Sequence, residues 1–130
     1  MTPEEILQYW IDLSDNDLAV AETLVKNRHN IYACFMCQQA VEKMFKGYYA
    51  NTKNDTPPFR HELKFLAQKT GLYDLLDEVQ KSFIIKLSPF NIEARYPDYQ
   101  NKIAQNLTDE DTKNIFDQTK EFVQWIRQKI

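Results

Sequence analysis

The sequence predicts an all-α fold, an up-and-down helical bundle of about five helices. Three observations lead there: apolar residues recur at helical spacing along most of the chain, caps and breakers cut it into helix-length segments, and no region reads as a strand. Only two glycines occur in 130 residues, so little interrupts the helical runs.

The first helix announces itself at Thr2, with Pro3 at the first helical position and Glu5 placed to complete a capping box. It is expected to run to about Asn27. Ile6, Leu7, Trp10, Leu13, Ala21 and Leu24 fall on one face at 100° per residue, and Asp17 lands in the middle of it. A carboxylate on an apolar stripe must be paired, solvated by a cleft or protonated, because an isolated buried charge is strongly disfavoured. The second helix, about Ile31 to Asn51, is apolar on nearly every side and is therefore expected to be central. Ala33, Ala40 and Gly47 recur on it every seven residues and allow a second backbone to approach closely. On the same helix Gln38, Glu42 and Lys46 stack at i, i+4 and i+8, with Gln39 beside them.

A turn follows from Asn51 to Pro58, where Asp55-Thr-Pro-Pro blocks helix, and His61 opens a short third helix carrying Leu63, Phe65 and Leu66. Gly71 is placed to end it. The fourth helix is expected from Leu72 to Leu87, with Leu72, Leu75, Leu76, Val79, Phe83 and Leu87 on one face and a stop at Ser88-Pro89. A loop from Pro89 to about Leu107 then carries Ala94-Arg-Tyr-Pro-Asp98. The last helix starts at Thr108, with Asp111 positioned to complete the cap, and buries Ile115, Phe122, Val123 and Ile126.

A chain of this length can bury a core without staples, and no linker or low-complexity tract divides it, so one domain is the expected count. The net charge of −3 argues against a broad, sequence-independent grip on duplex nucleic acid, while leaving room for a local basic pocket. Cys34 and Cys37 have a CxxC spacing but no second ligand pair, and they sit in an apolar helical run, which favours core thiols over a metal or redox site by roughly four to one. No metal and no cofactor is expected. The N-terminus lacks the basic and apolar regions of a signal peptide, no segment approaches a membrane span, and the reducing cytoplasm is the expected location.

The Asp-Leu-Ala-Val-Ala stretch at 17–21, Cys-Phe-Met-Cys-Gln-Gln-Ala-Val-Glu-Lys at 34–43 with Lys46, His61-Glu-Leu, and Ala-Arg-Tyr-Pro-Asp at 94–98 occur in this order across the chain. Together they resemble the HEPN family. The resemblance covers essentially the whole chain, so residues 1–130 are expected to form a single HEPN-like helical domain. It implies a bundle of four long helices and a shorter one, usually dimeric, often encoded beside a minimal nucleotidyltransferase, and binding or acting on nucleotides or RNA. Many members are ribonucleases or toxins, and active ones carry an Arg, four to six residues and a His near the loop and last helix. This sequence departs from that pattern. Its two histidines, His29 and His61, directly follow Arg28 and Arg60, and none lies downstream of Arg95.

That departure has a chemical consequence. Metal-independent RNA cleavage needs one group to take the 2′-hydroxyl proton and another to protonate the leaving oxygen, and Arg95 can do neither near neutral pH. No catalytic residue is assigned; any residual activity would be that of a metal-independent endoribonuclease. The expected nucleotide- or RNA-binding residues are Arg95, Tyr96, Lys46, Glu42, Asp17, Asp98 and Gln38, with Arg95 holding phosphate through its planar fork.

Each has a plainer reading. Glu42 and Lys46 make an ordinary i, i+4 pair, Asp17 serves as structural counter-ion to Lys46 or Arg95, and Arg95, Tyr96 and Asp98 lock a loop onto the bundle. His61 is three times more readily a helix cap than a catalytic group. The expected function is a dimeric HEPN-like module that binds a nucleotide or single-stranded RNA. The first alternative is a ribonuclease toxin of a toxin–antitoxin pair with a minimal nucleotidyltransferase partner, and the second is a purely structural homodimer.

Overall fold

The structure, a computed structural model, describes residues 1–98, 102 and 106–130. All regular elements among them are helical: α1 (Pro3–Lys26), α2 (Asn30–Lys53), α3 (Leu63–Thr70), a 3-10 turn (Leu72–Leu75), α4 (Glu78–Leu87), α5 (Phe90–Glu93) and α6 (Asp109–Gln128). The all-α bundle expected from the sequence is what forms. Residues 99–101 and 103–105, part of the expected loop before the last helix, lie outside the described residues.

Helix starts follow the capping chemistry closely. Thr2 and Glu5 form a reciprocal capping box at α1, and the hydrogen bond to the Thr2 backbone holds the Glu5 carboxyl below its ordinary value. Thr108 and Asp111 do the same at α6. The helix expected over Leu72–Leu87 is in fact two pieces. Leu76 leaves the 3-10 turn in an extended conformation, and Asp77 then restarts the chain with its own capping box to Gln80. This break rotates Leu75 and Val79 into solvent, 60% and 69% exposed, while Leu76, Phe83, Ile84 and Leu87 stay in the core. A local cap thus overrode an apolar periodicity that read as continuous. The loop after Pro89 is also more regular than expected, since Phe90–Glu93 forms one further helical turn.

α2 is the central element. It touches α1, α3, α4, α5 and α6, and the core draws on all of them. Trp10 meets Gly47 and Ser14 meets Ala40, so α1 runs antiparallel to α2. Cys34 meets Thr112 and Phe45 meets Phe122, so α6 runs parallel to it. The buried face of α1 centres on Ile11, Ser14, Asp17 and Ala21, rotated from the expected stripe, of which Ile6, Leu7, Trp10, Leu13 and Leu24 are not fully buried. The cause lies on α2, where small residues let α1 approach. A Cβ on Gly47 would stand 2.7 Å from the Trp10 Cβ, and the Ser14 hydroxyl donates to the Ala40 carbonyl at 2.8 Å. The second backbone that the small-residue stripe admits is, at Ala40 and Gly47, α1 of the same chain.

Cys34 and Cys37 are free thiols in this core, and burial pushes both up to about 12. Such thiols are inert at neutral pH. Among the described residues, no helix is long and apolar enough to cross a membrane.

Candidate functional site

The polar ladder on α2 is buried as a unit, with Gln38 at 0%, Glu42 at 4% and Lys46 at 9% exposure. Its spacing of four places the three side chains one above another, and their hydrogen bonds satisfy one another. Glu42 accepts from Gln38 Nε2 at 3.1 Å and from Lys46 Nζ at 3.1 Å. The His61 ring completes the carboxylate's surroundings, its Nδ1 lying 3.0 and 3.1 Å from the two oxygens. An ionised carboxylate is acceptor only, so the His61 ring directs an Nδ1–H at it.

His61 is thus not the helix cap the sequence suggested. Glu62 occupies that position, and the His61 carbonyl instead accepts from Gln38 Nε2 at 3.1 Å. Two constraints bring the segment here. Asn54, in the left-handed conformation, ends α2, and the Ser88 hydroxyl accepts the Leu63 amide at 3.0 Å.

From Gln38 the chain of bonds continues sideways. Gln39 Nε2 donates to Gln38 Oε1 at 2.6 Å and to Asn91 Oδ1 at 3.2 Å. Arg95 Nε donates to the Asn91 carbonyl at 2.8 Å, and its guanidinium lies 5.0 Å from the Phe35 ring centroid. Lys46, Glu42, Gln38, Gln39, Asn91 and Arg95 therefore form one connected path from α2 to the exposed Arg-Tyr-Pro-Asp segment. A groove of ≈ 410 Å³ runs beside it, walled by His61 and Lys64 on one side and by Ser88, Asn91 and Ile92 on the other, with Ile84 beneath. His61 and Arg95 do not touch in this arrangement. They are linked through the groove, because Asn91 both lines it and holds Arg95.

Asp17 is buried as expected, at 5% exposure, but its partner is neither Lys46 nor Arg95. Lys43 Nζ donates to it at 2.5 Å. The helical angle explains the choice: Lys43 faces α1, whereas Lys46 is committed to Glu42 one turn away. Burial raises the Asp17 carboxyl above the ordinary range, Lys43 opposes the shift, and the negative charge of Glu42 adds to it. The folded state then keeps this proton to higher pH than the unfolded chain, which binds fewer protons across that interval. The stabilisation belongs to the protonated carboxyl, present below the ordinary value and lost as pH rises through the raised one. In urea unfolding of wild type and Asp17→Asn, the wild-type stability relative to the variant should decline as pH rises from about 4. A difference independent of pH would refute the raised value.

Tyr96 and Asp98 follow Arg95 in the chain and are exposed. The structure thus gathers Gln38, Glu42, Lys46 and Arg95 into one path, holds Asp17 at the neighbouring α1–α2 seam, and leaves Tyr96 and Asp98 exposed outside the groove's lining. Sequence reasoning missed Asn91, Lys43 and Phe35. Asn91 left a faint signal, since it precedes Arg95 by one helical turn. Among the described residues no three His, Cys, Asp or Glu side chains are grouped as a metal site requires.

The HEPN domain family model matches residues 7–129. The chain belongs to the HEPN family. In architecture this HEPN chain is similar to TT1696 from Thermus thermophilus, a crystal structure that superposes with a TM-score of 0.77 at 21% identity, covering 95% of this chain and 98% of that one. At that identity the likeness speaks for the fold alone. No curated protein matches the chain. Within this HEPN domain the polar path runs from α2 to α5, the groove lies between the start of α3 and α4–α5, and Arg95 and His61 stand on different segments.

Proposed function

We propose that this HEPN domain is a binding module for a nucleotide or single-stranded RNA, with Arg95 as its phosphate anchor. The observation that carries the reading is the mounting of Arg95. Asn91 fixes its Nε and Phe35 supports its guanidinium, while the residue remains exposed, so further N–H donors of the fork are available to an anion. Lys46, Glu42 and Gln38 extend the site toward His61, Tyr96 and Asp98 add exposed side chains after Arg95 in the chain, and Asp17 supports it through Lys43.

Replacing Arg95 with alanine is expected to weaken binding by about 1.5–3 kcal/mol, the range for a hydrogen bond to a charged group. Thermal unfolding should change little, because the side chain is exposed. The test is titration of ATP, GTP and short RNA oligomers into wild type and Arg95→Ala, alongside a cleavage assay with metal chelated. Little or no cleavage is expected. Strong wild-type cleavage that disappears in the variant would promote the ribonuclease toxin, a reading that the His61–Glu42 pair favours because the carboxylate orients an imidazole at the groove. Absence of all binding would leave the structural homodimer.

A homodimer belongs to the same proposal, and a minimal nucleotidyltransferase partner to the toxin alternative, both resting on the family's habits; a cytoplasmic setting is proposed from the two reduced, buried thiols. Light scattering at tens of micromolar, run on the titration samples, tests the first of them.

A further inference from the structure

A large aromatic ring left in water forgoes the favourable burial available elsewhere. Phe59 is 96% exposed, and among the described residues no other large apolar side chain is so open. Its surroundings give the exposure a use. The Lys46 ammonium, bonded to Glu42, lies 6.0 Å from the Phe59 ring centroid, and His61 two residues on is bonded to the same carboxylate. Phe59 therefore stands at the Lys46 end of the buried polar path. Pro57 and Pro58 restrict the backbone immediately before it, so little further freedom is lost when the ring is covered.

At the other end of the path is Arg95, and the groove beside the path, lined by His61 and Asn91, adds the apolar side chains of Ile84 and Ile92. The span of the polar path can be read from α2. Gln39, which holds Asn91, and Lys46, beside Phe59, are seven residues apart, or about 10.5 Å of helix. That span matches roughly three nucleotides of a stacked strand at 3.4 Å each. The cations along it are Lys46, itself paired with Glu42, Lys64 and Arg95, with Glu62 in the groove's lining, in a chain whose net charge is −3.

We propose that Phe59 is a base-stacking platform and that the site takes a single-stranded RNA segment of about three nucleotides. One base covers Phe59, another enters the groove beside His61, and a phosphate reaches Arg95. Exposed aromatic rings joined by a cationic track are the general means of holding single strands without reading their sequence. The inference rests on the nucleotide-binding reading above and adds the residue and the length to it.

The experiment is fluorescence anisotropy with fluorescein-labelled hexa-adenylate and hexa-uridylate, and competition by ATP and UTP, on wild type, Phe59→Ala and Phe59→Trp. Phe59→Ala should bind both hexamers about tenfold more weakly, with unchanged thermal unfolding because the ring is in solvent. Phe59→Trp should bind within a factor of about two of wild type, since a larger π-face stacks at least as well. Hexamers should bind more tightly than the mononucleotides. Equal hexamer binding by wild type and Phe59→Ala overturns the platform while the nucleotide reading stands. Mononucleotides that bind as tightly as the hexamers overturn the extended site. A wild type that binds neither class of probe overturns both this inference and the reading beneath it, and turns Phe59 into a candidate protein contact.

Discussion

Glu42→Ala is expected to lower the unfolding free energy by about 3–5 kcal/mol, the range for breaking a buried ion pair from one side. Glu42 is the acceptor on which three groups converge, Gln38, Lys46 and His61. Alanine removes that acceptor and leaves the Lys46 ammonium, on a side chain only 11% exposed, without its counter-charge. Gln38, wholly buried, loses one of its two acceptors and keeps the His61 carbonyl. His61 is half-exposed and finds water, so Lys46 dominates the loss. Glu42→Gln keeps the shape and an acceptor while deleting the charge, and should fall between wild type and alanine. Urea unfolding followed by circular dichroism measures both variants, with the midpoint falling at an unchanged slope. A loss below about 1 kcal/mol for alanine would place the ladder in the class of weak, solvated pairs.

Phe45→Ala should be comparably damaging, at about 3–5 kcal/mol, but through packing. Phe45 is wholly buried on the central helix, and its ring meets Phe122 of α6 edge to face at 5.7 Å and 77°. Phe122 continues the cluster to Phe83 and Trp125, at 5.9 and 6.0 Å. Truncation opens a cavity where α2 supports α6, and it removes an aromatic pair worth about 0.5–1.5 kcal/mol beyond area alone. A double-mutant cycle with Phe122→Ala isolates that pair, and a coupling energy near zero would show that the two rings act independently. A domain of this size has about 5–15 kcal/mol in total, so either substitution uses a large share of the margin.

The sequence by itself determined the helical class, the starts of the first and last helices and the centrality of the second, because caps and apolar periodicity are local. It also marked Asp17 as needing a partner and Gln38, Glu42 and Lys46 as a ladder, since i, i+4 spacing fixes which side chains stack. The family resemblance, carried by short motifs in order, was legible from the same string. Tertiary structure decided the rest. Lys43 rather than Lys46 pairs with Asp17, because the rotation of α1 depends on how closely Trp10 approaches Gly47. Val79 faces water, because the Asp77 cap breaks a run that periodicity alone would continue. His61 orients on Glu42, and Asn91 joins Gln39 to Arg95, across 19 and 52 residues of chain. Contacts of such separation depend on how helices dock, and that docking is set by the summed packing of side chains from several elements, which no local spacing encodes.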